Sequence, residues 1–164
     1  MRMAKSAPSA ALILRDIRAA LDSRLHGRGE RSDRGDKSDK SKNAASKSPL
    51  KALGVRSSFV RSIARDIQTK AKPAIDYAVA LALVDAAVAR KVREEILVAL
   101  ELLERQQKEF TSGLFARVEK WSGVADDLEV AEVLGARIAA PALGLEPAKM
   151  AVVKKWARLK SVGA

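Results

Sequence analysis

The sequence contains no cysteine, one histidine and few aromatic residues: two tryptophans, one tyrosine and three phenylalanines. Without cysteine, the chain can form neither a disulfide nor a thiolate metal site, and it has no cysteine nucleophile. The one histidine, His26, cannot build a histidine-rich metal site, and its polar neighbours indicate a solvated side chain. A glycine-rich phosphate loop and the GxSxG and HExxH motifs are also missing. We therefore expect no metal and no cofactor.

Apolar runs long enough to cross a membrane are absent from the sequence as well. The longest candidate, residues 73–89, is interrupted by Asp76 and Asp85. The N-terminal segment is basic with a short apolar run, but Arg15 and Asp16 interrupt that run too early for a signal peptide. The sequence therefore predicts a cytoplasmic, soluble protein with no membrane partner.

Positive charge is what the sequence has in excess. Lysine and arginine number 31 against 20 acidic residues, which gives a formal net charge of +11. Such an excess indicates a polyanionic partner, most simply nucleic acid, with a merely solvated basic surface as the alternative. The cations concentrate in two helical regions, which carry Arg56, Arg61 and Arg65, and Lys149, Lys154, Lys155, Arg158 and Lys160. A groove lined by both regions would attract a phosphate backbone.

Composition divides the chain into three regions. The first, residues 1–26, is predicted to be an N-terminal helix over residues 9–25, with Leu14, Ile17, Leu21 and Leu25 at helical spacing. Residues 27–48 contain no large apolar residue and are rich in glycine, serine and charge, which predicts a disordered charged linker. Residues 49–164 are predicted to form a helical domain.

Helices of ordinary length joined by short turns account for residues 49–164, and no strand pattern occurs. Ser57 or Ser58 is expected to cap the first helix, whose apolar stripe is Phe59, Ile63 and Ile67. The next segment, residues 73–88, is apolar nearly all round and is expected to be central. A further helix is expected at residues 91–109, and another begins after the break at residues 111–113. The next helix is expected to begin at a capping box of Asp126 and Glu129 and to end near Pro141, and the last is expected to begin at Pro147. The fold class is therefore all-α, with antiparallel helix pairs in a bundle or a HEAT-like α-solenoid.

Adjacent carboxylates occur twice and need an explanation. Glu94 and Glu95 diverge on a helix, so they are expected to be the solvated start of an amphipathic helix, with Glu101 also outside the apolar face. That face carries Val92, Ile96, Leu100 and Leu103. Asp126 and Asp127 are either acids of a site or helix caps, and capping is a sufficient role for them.

Four segments follow one another in a characteristic order: LGVRSSFVRSIARDI, YAVALALVDAAVARKVREEILVALELLER, FARVEKWSGVADDLEVAEVLGARIAAPAL and VVKKWARLKS. Over about residues 50–160 this order resembles the DNA alkylation repair family, the AlkD-like group of HEAT-repeat DNA glycosylases. The resemblance implies a curved array of helix pairs whose concave basic face holds duplex DNA. It also implies removal of N3- and N7-alkylated purines without base flipping. A carboxylate would then stabilise the cation developing on the sugar, beside tryptophans packed on the deoxyribose.

The sequence departs from this family at the catalytic motif. Trp156 matches the first tryptophan, but the position of the catalytic aspartate is Lys160, and a lysine would repel a developing sugar cation. The second tryptophan and an arginine-rich helix do not follow, so residues 49–164 are expected to be incomplete relative to the family, and the linker is expected to be an insertion. The motif that follows the middle tryptophan helix in the family is also altered here. Of its tryptophan and acidic residues, Trp121, Asp126 and Asp127 are the ones still present nearby.

The prediction from sequence is a protein that binds duplex DNA, alkylated or not, through its phosphates, with base excision opposed by the altered motif. The expected DNA contacts are Arg61, Arg65, Lys154, Lys155, Trp156, Arg158 and Lys160. Two alternatives stay open. One is a helical scaffold that binds a protein partner, and the other is an active alkylpurine glycosylase whose carboxylate is Asp126 or Asp127.

Overall fold

The computed structural model describes residues 8–26, 50–71 and 74–161, with side chains as far as residue 155. Its α-helices are α1 (Ala10–His26), α2 (Ser57–Lys70), α3 (Tyr77–Arg90), α4 (Arg93–Glu104), α5 (Leu114–Trp121), α6 (Leu128–Glu132), α7 (Ala140–Leu145) and α8 (Met150–Ser161). A π-helical segment, Val133–Ala139, joins α6 to α7, and 3-10 turns lie at Gln107–Glu109, Ser122–Val124 and Pro147–Lys149. Across these ranges the only extended pairing is an isolated bridge between Lys51 and Val92, which agrees with the predicted all-α class.

The helices pack in two layers. α1 packs on α3, and α2 packs on α4, while α1 also contacts α2 and α3 contacts α4. The π segment continues the layer of α2 and α4 by packing on α4, and it also contacts α5. No helix within the described ranges is both long and apolar enough to cross a membrane. The predicted linker at 27–48 and the predicted start at Pro73 lie outside the described residues.

The core is centred on α4 and not, as expected, on the apolar helix α3. Every residue of α4 from Glu94 to Leu103 is buried, whereas α3 buries only Ala80, Leu83, Val84 and Ala87. The expectation that Glu94, Glu95 and Glu101 lie outside the buried face of this helix is therefore wrong. α4 is enclosed because it contacts α1, α2, α3 and the π segment at once.

The N-terminal helix agrees with its sequence pattern. α1 begins one residue after the predicted start. Of the predicted stripe, Leu14, Ile17 and Leu21 are buried and Leu25 is partly buried against the core. Ile13, which was not in the predicted stripe, is buried as well. Each such side chain contributes about 1.5–3 kcal/mol when it leaves water. The regular spacing of large apolar residues is thus sufficient to dock α1 on α2 and α3.

Helix α2 is not capped as expected. Arg56 occupies the N-cap position in an extended conformation and gives no side-chain cap, so Ser57 and Ser58 both fall inside the helix. The observed cap lies one residue before Ser57, and it follows the buried residue Val55. The apolar stripe is also rotated, because Val60 is buried whereas Phe59 is 38% exposed.

The last helical stretch of the described core passes through a proline. The helix was expected to end near Pro141, but α6, the π segment and α7 run on to Leu145. Proline lacks an N–H donor and clashes with the carbonyl of the preceding α-helical turn, and the wider π turn before Pro141 removes that conflict. Seven residues of π-helix therefore let the chain continue past a residue that normally stops a helix.

Candidate nucleic-acid interface

Glu95 joins two arginines from different helices at one end of the protein. Its side chain is buried, and its two oxygens accept hydrogen bonds from Nε of Arg18 on α1 and Nε of Arg90 on α3, each at 2.9 Å. A buried carboxylate needs such partners, because without them the cost of removing its charge from water is several kcal/mol. The partner from α1 is 77 positions away, so local sequence spacing could not reveal this role.

Glu94 holds the turn that precedes α2. Its side chain is fully buried, and its oxygens accept the backbone N–H groups of Leu53 and Gly54 at 2.8 and 2.9 Å. Arg93 lies 3.8 Å from the same carboxylate. Gly54 has a φ of 82°, a conformation that glycine adopts without strain. The LGV turn, one of the segments on which the family resemblance rests, is thus held in place by hydrogen bonds to Glu94.

A row of charges crosses the layer formed by α2, α4 and the π segment. Glu101 accepts a hydrogen bond from Arg137 at 2.9 Å and lies 3.7 Å from Arg61, while Glu104 bonds Arg137 at 3.1 Å. The hydrogen bond to Glu104 raises the pKa of Arg137, so this arginine stays charged at any ordinary pH. Arg61, an expected DNA contact, therefore shares its charge with an acid of the protein itself.

The structure describes the side chains of some of the other expected DNA contacts but not of all of them. Arg65, Lys154 and Lys155 are exposed, and their side chains make no ion pair within the described part of the chain. Trp156, Arg158 and Lys160 lie on α8, beyond the last described side chain. Within the described ranges α2 packs on α1 and α4, whereas α8 packs on the turn before it, so the two basic regions do not share an extensive helix interface.

The two candidate catalytic acids have different surroundings. Asp127, and not Asp126 as expected, caps α6 by accepting the N–H groups of Glu129 and Val130, each at 3.1 Å. Asp127 also accepts a hydrogen bond from Arg93 Nε at 2.8 Å. The predicted capping-box partner, Glu129, instead forms an ion pair with Arg93.

The pKa of Arg93 follows from this cluster. Burial alone would lower that pKa, but the charge and hydrogen bond of Asp127, with the charges of Glu129 and Glu94, raise it. Arg93 is therefore a permanent cation that neutralises Asp127. Asp126 is exposed and makes no hydrogen bond or ion pair with any described residue.

Trp121 is a core residue. Only 2% of it is exposed, and its ring nitrogen donates a 2.7 Å hydrogen bond to Asp85, which also pairs with Arg117. A side chain enclosed in this way cannot lie against a deoxyribose. Among the described residues, no group of His, Cys, Asp and Glu side chains is arranged to hold a metal ion.

One group of cations was not anticipated from the sequence. We call Arg18, Lys51, Arg90 and Lys91 the basic corner, because they meet where α1, the chain before α2, and the turn between α3 and α4 come together. Lys51 donates its backbone N–H to the carbonyl of Lys91 at 2.9 Å, and Arg93 donates back to the carbonyl of Lys51 at 3.0 Å. The two lysines are 40 positions apart, and the sequence between them carries no local signal of the pairing.

A model of the family described as DNA alkylation repair enzyme matches residues 33–161. The chain belongs to the DNA alkylation repair enzyme family. The match confirms the resemblance and begins earlier than the quoted segments, so it includes part of the predicted linker. No curated protein and no solved structure matches the chain.

Membership of the DNA alkylation repair enzyme family points to DNA as the class of substrate. The family acts in DNA repair, so its polyanionic substrate is DNA. The net charge of +11 has the sign that this substrate requires. Within the described residues, exposed cations lie on α2, on α8 and at the basic corner.

Proposed function

We propose that this member of the DNA alkylation repair enzyme family binds duplex DNA through its phosphates and does not excise bases. The observation that carries the proposal is that Arg65, Lys154 and Lys155 are exposed and form no ion pair within the described residues. Exposed cations release condensed counterions from DNA when they meet phosphates, and this release drives binding without regard to base sequence.

The packing pattern supports a HEAT-like array as the framework for binding. The α1–α2 pair stacks on the α3–α4 pair, with α1 packed on α3 and α2 packed on α4. α5 with the α6–α7 stretch adds a third unit through the contact of the π segment with α4. Stacked helix pairs of this kind build the extended surfaces that solenoid proteins use for long ligands.

The surroundings of the carboxylates support the absence of base excision. Glu94 and Glu95 are buried and bonded to backbone and arginine donors, and Asp127 is both a helix cap and the partner of Arg93. A catalytic carboxylate must face the sugar on which positive charge develops. In the family resemblance the catalytic aspartate corresponds to Lys160 of this sequence. The positive charge of a lysine would repel the cation that develops on the sugar.

Binding is tested by fluorescence anisotropy of a labelled duplex of about 20 base pairs, titrated at several salt concentrations. We expect the logarithm of the affinity to fall linearly with the logarithm of salt. A Lys154→Gln/Lys155→Gln variant should reduce the slope by about 1.8, since each phosphate contact contributes about 0.9. Lys108→Gln/Lys120→Gln, which removes the same charge from other exposed sites, should change it much less. Absent or salt-independent binding would contradict the proposal.

An active alkylpurine glycosylase is the second candidate, and one observation favours it: Asp126 is exposed and has no partner among the described residues. The assay is release of 7-methylguanine from methylated duplex DNA. We expect no release above that of DNA alone. Release by the parent protein that is lost in Asp126→Asn would establish the enzyme, because Asp126 has no described structural role and its substitution should leave the fold intact.

A protein-binding scaffold is favoured by a groove of about 970 Å³ between α1 and α2. Leu12 and Phe59 line this groove and are 48% and 38% exposed. The guanidinium of Arg24 lies 5.0 Å from the centre of the Phe59 ring, which covers part of that apolar surface. The scaffold becomes the leading candidate if the anisotropy experiment shows no binding of DNA at low salt.

A further inference from the structure

The basic corner is held together by the backbone and by one buried acid. The two hydrogen bonds between the chain at Lys51 and the turn at Lys91 fix the positions from which these side chains extend, and both lysines are exposed. Glu95 holds Arg18 and Arg90 by their Nε atoms beside them. Because these contacts do not involve the lysine amines, the corner presents its charge on a rigid support.

The charge of the basic corner is poorly compensated by the protein. Among the four cations only Arg18 and Arg90 have an acid partner in the described structure, and they share one, the buried Glu95. The neighbouring carboxylate of Glu94 points to the LGV turn and to Arg93. Lys51 and Lys91 form no ion pair within the described residues.

The backbone at Lys91 gives an independent reason to assign a role to its side chain. Lys91 ends α3 in the left-handed conformation with φ of 57°, and it is the one described non-glycine residue with positive φ. Glycine or asparagine is favoured at this position after a helix, because a lysine there is strained. A side chain placed at the cost of strain, and without a partner in the described fold, is a candidate for an external contact.

The charge row across the α2–α4 layer is a weaker phosphate site than the corner. There Arg61 and Arg137 face Glu101 and Glu104, so cations and acids are equal in number. A phosphate approaching that row would meet two carboxylates. At the basic corner it would meet exposed amines with a single, buried acid behind them.

We propose that the basic corner is a phosphate-binding site for the backbone of duplex DNA, with Lys51 and Lys91 as its contacting residues. This proposal rests on the proposed function, because it places a second part of the same duplex contact on the protein. Arg18 and Arg90 contribute positive potential from their fixed positions on Glu95. Lysine amines act at such a site as point charges that hold phosphates without reading bases.

The test is the salt dependence of duplex binding by Lys51→Gln/Lys91→Gln. Both substitutions keep the backbone contacts and remove two charges, so circular dichroism should remain that of the parent protein. We expect the slope of log affinity against log salt to fall by about 1.8, and the affinity at 0.1 M salt to fall by roughly 60-fold. Lys108→Gln/Lys120→Gln is the matched control, with the same net charge and a slope close to that of the parent.

The outcomes separate the two proposals. A parent protein that binds DNA, with equal slopes for the corner variant and the control, would overturn the assignment of the corner and leave the proposed function standing. A parent protein that does not bind DNA would overturn both. A reduced slope in the corner variant together with a reduced slope in Lys154→Gln/Lys155→Gln would support two separate phosphate contacts.

Discussion

The contact between Glu94 and the LGV turn predicts a large loss of stability for an almost isosteric change, Glu94→Gln. The carboxylate uses one oxygen for Leu53 N–H and the other for Gly54 N–H. A glutamine has only one acceptor oxygen, and its amide nitrogen is a donor. One of the two backbone donors must therefore face another donor in a place where the acid side chain is fully buried.

The magnitude follows from these contacts. A hydrogen bond to a charged group contributes about 1.5–3 kcal/mol, and an unpaired buried donor costs about 1–3 kcal/mol. A neutral amide is easier to bury than a carboxylate, which offsets part of the loss. We expect a net loss of about 2–4 kcal/mol, which lowers the Tm of a chain of this length by roughly 5–15 °C.

Urea denaturation followed by circular dichroism at 222 nm measures this loss as a lower midpoint with an unchanged m-value. The control is Glu109→Gln, an exposed glutamate in the 3-10 turn after α4, for which we expect a change within about 0.5 kcal/mol. If Glu94→Gln is as stable as this control, the carboxylate does not hold the turn, and the argument for a buried acid with a structural role is refuted.

Three further substitutions test the assignments of helix cap and core. Asp127→Ala should lower the free energy of unfolding by about 2 kcal/mol, because it removes both the cap of α6 and a bond to Arg93. Asp126→Ala should change the free energy of unfolding by less than about 0.5 kcal/mol. If Asp126→Ala were the more destabilising of the two, the cap would be assigned to Asp126. Trp121→Phe should lower the free energy of unfolding by about 2 kcal/mol, because the buried ring becomes smaller and its hydrogen bond to Asp85 is lost. Thermal or urea unfolding measures this loss, and an unchanged stability would contradict the core position of Trp121.

Helices whose signal is local were predictable from the sequence. The predicted stripe of Leu14, Ile17, Leu21 and Leu25 gave α1 to within one residue, because burial on one side of a helix requires apolar residues at three- and four-residue spacing. The break at residues 111–113 and the apolar residues Leu114 and Trp121 likewise gave α5. The family resemblance was also available from sequence and is confirmed by the family match.

What could not be predicted depends on partners far away in the chain. The spacing of Glu94 and Glu95 indicated a solvated surface, because one donor to Glu94 lies 41 positions away and one donor to Glu95 lies 77 positions away. Asp127, which caps α6, is also bound by Arg93, a residue 34 positions away that packing brings close. The basic corner was missed for the same reason, since only the folded chain places Lys51 beside Lys91.

The docking of the LGV turn on Glu94 has a consequence for the order in which the protein folds. α3 and α4 are joined by two residues, so this hairpin can form quickly from local contacts. The bonds from Leu53 and Gly54 to Glu94 instead close a loop of 41 and 40 residues, which carries a larger entropy cost. We therefore expect the turn to dock after the α3–α4 hairpin has formed, and the same contact brings Lys51 to Lys91. The basic corner thus depends on a contact between distant parts of the chain, and local opening of the turn would separate Lys51 from Lys91 while the α3–α4 hairpin stays in place.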